Sequence, residues 1–181
     1  MPRTCVIVVD MIRGFAEKGA LADPSIAAIA PAVRRRVLAA DASVFLCDRH
    51  AEDSPEFDAF PVHCLAGSEE SEVIPALADL AGPGNTVGKQ STNGFFALDK
   101  EKLAAYDEIV ITGCCTDICV LQLALTLKAW FNERGLRKRV AVPRDAVATY
   151  DAPGHPREAC SEAALALMRN AGIDVAQPLP E

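Results

Sequence analysis

The stretch Ile109-Val110-Ile111-Thr112-Gly113-Cys114-Cys115-Thr116-Asp117-Ile118-Cys119-Val120 constrains this chain most. Its first half is apolar and β-branched, the pattern of a buried strand. Gly113 breaks the run, and a helical pattern follows from Asp117 to about Glu133. The break is a strand-to-helix turn, so Cys119 falls in the first helical turn. A thiol there sits near unpaired backbone N–H groups and the positive end of the helix dipole. That environment predicts a lowered thiol pKa and a usable nucleophile.

The rest of the chain repeats the alternation. Strands are predicted at Thr4–Val9, Ser43–Cys47, Thr86–Gly88, Arg139–Val142 and Ile173–Ala176. Met11–Pro24 reads as a loop. Helices are predicted at Ser25–Ala40, Ser71–Leu80, Leu98–Ala105 and Pro156–Ala171. Pro31 predicts a kink or a late start in the first of these. Alternating strands and helices predict an α/β three-layer sandwich around a mostly parallel sheet, with residues 1–181 as one domain. In such sheets, sites gather beyond the C-terminal ends of the strands. Asp10, Asp48, His50, Lys89 and Cys115 each stand at or just past such an end.

Charge and cysteine usage narrow the function classes. A net charge of −7 argues against a nucleic-acid partner. Arg34-Arg35-Arg36 and the cluster from Arg134 to Arg139 read as solvated helix ends. No opening leader pattern is expected, and no apolar run suits a membrane span. Seven cysteines, an odd number, several of them in strand-like contexts, point to a reducing cytoplasm.

Two motifs carry chemistry, and one is rejected. Gly82-Pro83-Gly84-Asn85-Thr86-Val87-Gly88-Lys89 lacks the first glycine and the Ser or Thr of a phosphate loop. Asp48-x-His50 with a later His63 supplies a carboxylate and two imidazoles for an open metal site; zinc, iron and manganese all suit that set. A pair of exposed loop histidines is the alternative. Cys119 needs a base, and the residues leave two open. One is His155. The other is Asp10, held ionised by Lys89, and it is favoured because it shares the strand-end edge with Cys119.

These residues resemble a known family. Val6-Ile7-Val8-Val9-Asp10-Met11, Asp48-Arg49-His50, Phe60-Pro61-Val62-His63, Lys89 and Gly113-Cys114-Cys115-Thr116-Asp117-Ile118-Cys119-Val120 resemble the isochorismatase-like cysteine hydrolases, and within them the nicotinamidases. The resemblance spans nearly the whole chain and implies a Rossmann-like topology. It implies Asp10, Lys89 and Cys119 as catalytic residues, with the N–H groups of Cys115 and Cys119 as the oxyanion hole. It implies a divalent metal, zinc first, on Asp48, His50 and His63, and a cis peptide between Cys114 and Cys115. Phe15, Phe60 and Phe96 are the implied pocket residues, with Arg13 near its mouth. A small amide such as nicotinamide is the implied substrate; another small amide, a carbamoyl compound, and a non-catalytic binding role are the alternatives. Homo-oligomers are frequent in the family.

Overall fold

The computed structural model describes residues 2–175. Its strands are β1 (Thr4–Val9), β2 (Ala42–Asp48), β3 (Thr86–Lys89), β4 (Glu108–Cys114), β5 (Arg139–Ala141) and β6 (Val147–Ala148). They run β3-β2-β1-β4-β5 across one sheet, and every pairing between them is parallel. β5 pairs with the first half of β4, and β6 pairs with Gly113 and Cys114 at its end. Parallel neighbours place all the carboxyl ends on one edge.

The helices are α1 (Arg13–Ala16), α2 (Ala30–Ala39), α3 (Lys100–Ala104), α4 (Leu121–Glu133) and α5 (Arg157–Asn170). Side chains alternate across a strand, and β1 divides accordingly. Cys5, Ile7 and Val9 pack with Leu103 of α3, Leu123, Leu127 and Phe131 of α4, and Leu165 and Met168 of α5. Val6 and Val8 face the other way, with Val33 and Val37 of α2. The expected three-layer α/β sandwich is therefore present.

Several local expectations need correction. Ser71–Leu80 forms no α-helix, only short turns at Glu69–Ser71 and Ala78–Leu80. Pro75 accounts for this: it removes an N–H donor and disfavours helical geometry at Ile74. The expected loop at Met11–Pro24 contains α1. The Ser25–Ala40 pattern begins as a 3-10 turn, Pro24–Ile29, and becomes α-helical at Ala30 with Pro31 in the first turn. That is the late start the proline predicts. Asp174 makes one bridge to Ala141 in place of the last strand, and Ala176 lies outside the described residues. Arg36 is buried and donates to Asp145 at 2.6 Å, so the Arg34–Arg36 cluster is only partly solvated. Among the described residues, no helix is long and apolar enough to cross a membrane. All seven cysteines are free.

Candidate active site

The apolar strands end on charged residues, and the sheet gathers those ends. Asp48 and Lys89 are register partners on β2 and β3. Asp10 follows β1, with its N–H on Leu46 O at 2.8 Å. Its Oδ1 accepts the Asp48 N–H at 2.8 Å. Asp10 holds this position at φ 51, a left-handed conformation rarely adopted outside glycine. Such a residue costs on the order of 1 kcal/mol and clusters at functional sites.

Lys89 is fully enclosed and lies between carboxylates. Its Nζ is 2.9 Å from Asp10 Oδ2 and donates to Asp48 Oδ1 and to Ser91 O. The Cys119 Sγ is 3.8 Å from the same ammonium. Burial alone would lower the Lys89 pKa, but Asp10, Cys119 and Asp48 outweigh it and hold the ammonium charged. Burial pushes Asp10 up to about 6, and the neighbouring Asp48 charge adds to the push against the pull of Lys89. Burial would raise Asp48 too, yet Lys89 and the His50 and His63 rings keep it well below the usual carboxylate range.

The thiol departs from expectation. Burial pushes Cys119 well above its ordinary pKa, and Lys89 opposes this only in part. The helix start therefore does not make a resident thiolate. The segment Thr116–Val120 is a π-helical turn, entered from a cis peptide between Cys114 and Cys115 and continued by α4. Gly113 is required just before it: at φ 107, a Cβ would meet Val9 O at 1.9 Å.

Asp48, His50 and His63 form a compact buried group. The Nε2 atoms of His50 and His63 lie 3.5 and 3.8 Å from the two Asp48 oxygens. Both distances exceed a hydrogen bond. Donors around one tetrahedral ion at ~2.05 Å stand ~3.3 Å apart, close to these separations. The opposite ring nitrogens are anchored outside the cluster, His50 Nδ1 on Ser54 Oγ and His63 Nδ1 on Pro61 O. His50 Nε2 is buried without a hydrogen-bond partner. Anchored outer nitrogens and an unmatched inner one are the pattern of metal-ligating histidines, so these residues fit a divalent metal. Ser54 stands behind His50, on the ring nitrogen away from the cluster.

A cavity of about 400 Å³ joins the two groups, since Asp48, His63, Cys115 and Cys119 all line it. Phe15 and Phe60 are in its wall, and both make T-shaped ring contacts with His63. Phe96 is not in the wall. It is 73% exposed and packs edge-on against Phe95. Its place in a tight turn, Gly94–Phe96, points the ring outward. Arg13 is likewise absent from the wall and pairs with Glu17 and Glu72. Tyr150, Ile118 and Thr92 line the cavity without having been anticipated. Tyr150 follows β6, a strand of two residues, too short to show as a periodic run. The strand-end rule points to Tyr150 once β6 is known. His155 faces Asp117 and the Tyr150 carbonyl, so neither ring nitrogen is directed at Cys119.

The model of the isochorismatase domain matches residues 4–177. The chain belongs to the isochorismatase family. Nicotinamidase 1 of Arabidopsis thaliana is 31% identical over 153 residues, 71% of this chain. The chain spans 62% of that relative's length. The pyrazinamidase of Pyrococcus horikoshii, solved in complex with zinc, is 27% identical with a TM-score of 0.75, over 97% of this chain and 99% of that one. The N-carbamoylsarcosine amidase of Thermoplasma acidophilum is 26% identical with a TM-score of 0.74, over 97% of this chain and 96% of that one.

Proposed function

We propose that this single domain hydrolyses a small uncharged aromatic carboxamide, nicotinamide before others, to the carboxylate and ammonia. The observation that carries the reading is one cavity that meets Cys119 on one side and Asp48 and His63 on the other. No lysine or arginine is among the described residues of its wall, and Phe15, Phe60 and Tyr150 supply aromatic surface. A carboxylate-bearing carbamoyl compound would meet no lysine or arginine in this wall, which instead carries Asp23, Glu56 and Asp151. Desolvating an unpaired charge there is costly, so a neutral ring is favoured over an anion.

The chemistry belongs to the chain's own side chains. Asp10, ionised above pH ~6, takes the proton of the Cys119 thiol as Sγ attacks the amide carbon. The raised thiol pKa means this transfer accompanies the attack. Lys89 holds Asp10 in place and balances its charge. The N–H groups of Cys115 and Cys119 receive the negative oxygen of the tetrahedral intermediate. The C–N bond then breaks, and Asp10 returns its proton to the leaving nitrogen, giving ammonia and a thioester on Cys119. Water attacks the thioester as Asp10 takes its proton. The C–S bond breaks, and the sulfur is reprotonated. Asp48, His50 and His63 would hold a divalent ion, zinc first with iron and manganese suited to the same donors; bound there, it supplies a Lewis acid for a ring nitrogen and so orients the ring.

The test is an ammonia-release screen with metal-loaded protein and with protein stripped by a chelator. Nicotinamide is expected to turn over best, and stripping is expected to affect it more than an amide lacking a ring nitrogen. Release from a carbamoyl amino acid but none from nicotinamide would replace this reading with the carbamoyl alternative.

A further inference from the structure

Asp117 and His155 lie outside the groups the reaction uses, yet they are tightly built. Asp117 belongs to the π-helical turn that carries Cys119. Its Oδ2 is 2.6 Å from His155 Nε2. The other ring nitrogen, Nδ1, donates to Tyr150 O at 3.1 Å. The His155 ring then lies flat on the Tyr150 ring, with centroids 3.9 Å apart and planes 4° apart. Two contacts from ring nitrogen to oxygen and one stacked ring fix both the position and the plane of the imidazole. The loop itself is closed by paired backbone hydrogen bonds between Ala152 and His155. Arg157 holds it from the far side, donating to Thr149 O and pairing with Asp23.

Tyr150 is thereby a fixed wall. It lines the cavity beside Cys115, Ile118 and Cys119. β6 lies on the flank of β4 away from β1 and β2, so this wall stands on the side of the nucleophile turn opposite the Asp48 group. We propose that Asp117 and His155 are positioning residues that lock Tyr150 as this wall, and so set how tightly a flat ring is held over Cys119. They touch neither the substrate nor the reacting atoms. The inference rests on the aromatic-amide reading above for its substrate class.

Cys160 lies near the pair and, as a third donor, would complete a second metal-ligating set. The 2.6 Å contact argues for the latch, because two donors sharing one tetrahedral ion stand ~3.3 Å apart. A second metal is thus an outcome of the test.

The experiment compares His155→Ala, His155→Phe, Tyr150→Ala and the double variant His155→Ala/Tyr150→Ala. With nicotinamide, His155→Ala is expected to raise KM ~10-fold while kcat stays within ~3-fold, since uniform binding is what the wall supplies. His155→Phe keeps a ring to stack on and should recover part of that loss. The double variant should be no worse than Tyr150→Ala alone, the non-additivity of residues acting as a unit. Alkylation of the Cys119 peptide is followed in parallel, as the rate with iodoacetanilide over the rate with iodoacetamide. That ratio should fall several-fold in His155→Ala, and it stays informative if nicotinamide proves not to be the substrate. Absence of ammonia from the wild-type protein would therefore count against the substrate and leave the latch to be judged by the thiol. The latch is overturned if His155→Ala leaves both KM and the ratio unchanged. It is equally overturned by a fall in kcat alone, or by loss of a second equivalent of bound zinc in Cys160→Ser.

Discussion

Among the described residues aspartate groups with histidine twice, at Asp48 with His50 and His63 and, within the nucleophile turn, at Asp117 with His155. In the Asp48 group the histidine nitrogens stop 3.5 and 3.8 Å from the carboxylate. In the Asp117–His155 pair the same atom types meet at 2.6 Å. The first group is almost wholly buried and anchored from behind by Ser54, Pro61 and Lys89. The second is partly exposed, and its imidazole is spent on a carbonyl and an aromatic face. Residue type does not separate a ligand set from a hydrogen-bonded pair. Separation does: 2.6 Å is a hydrogen bond, whereas 3.5 and 3.8 Å are too long for one and suit donors around a shared ion.

The largest effect expected comes from removing the charge that anchors the first group. Lys89→Met leaves Asp10 and Asp48 without their shared cation, a loss on the order of 3–5 kcal/mol for a buried ion pair broken on one side. Urea denaturation measures it, and ammonia release should vanish with it. An unchanged midpoint would mean that Lys89 does not balance this site.

A sharper contrast comes from one substitution on each side, read by metal content. Ser54→Ala removes the outer partner of His50 and should weaken metal binding ~10-fold, as loss of such partners does. His155→Ala should leave metal content and affinity as in the wild-type protein. Elemental analysis after dialysis against graded chelator distinguishes the two. Equal losses in both variants would erase the distinction between the groupings.

The smallest effect concerns the clasp behind the second group. Burial would raise Asp23, but Ser25, the Asp151 N–H and Arg157 outweigh it and hold the carboxyl at about 2. A depressed folded-state pKa contributes stability that is present above the unfolded value of ~3.9 and is lost as pH falls through the folded value. Asp23→Asn should therefore be less stable near neutrality by about 1 kcal/mol, after discounting for its contact with solvent. The gap should close between pH ~4 and ~2. Thermal unfolding across that range checks it, and a constant gap would contradict the assigned partners.

Much of this arrangement is legible in the residues. Asp10 and Asp48 each end an apolar run and Lys89 ends a short strand, and a parallel sheet brings such ends together. Gly113 is readable as a turn, and only the register shows that Val9 O leaves no room for a side chain. The thiol pKa was not legible. A helix start argues for a lowered value, but Cys119 is buried, and burial depends on packing from several elements. The pocket wall was legible in part. Phe15 and Phe60 sit beside recognisable landmarks, whereas the ring direction of Phe96 follows from a three-residue turn. Tyr150 follows a strand too short to predict, and its partner His155 reads from sequence only as a candidate base. In the fold its ring nitrogens face Asp117 and the Tyr150 carbonyl, a placement that residue type alone does not show.

The central claim is that Cys119 performs the chemistry while the Asp48 group orients the ring. Ammonia release from nicotinamide by metal-loaded Cys119→Ala tests it most directly. The account predicts a full complement of metal and release no faster than the background rate. Turnover retained by that variant with metal bound would contradict it and assign the attack to a metal-activated water.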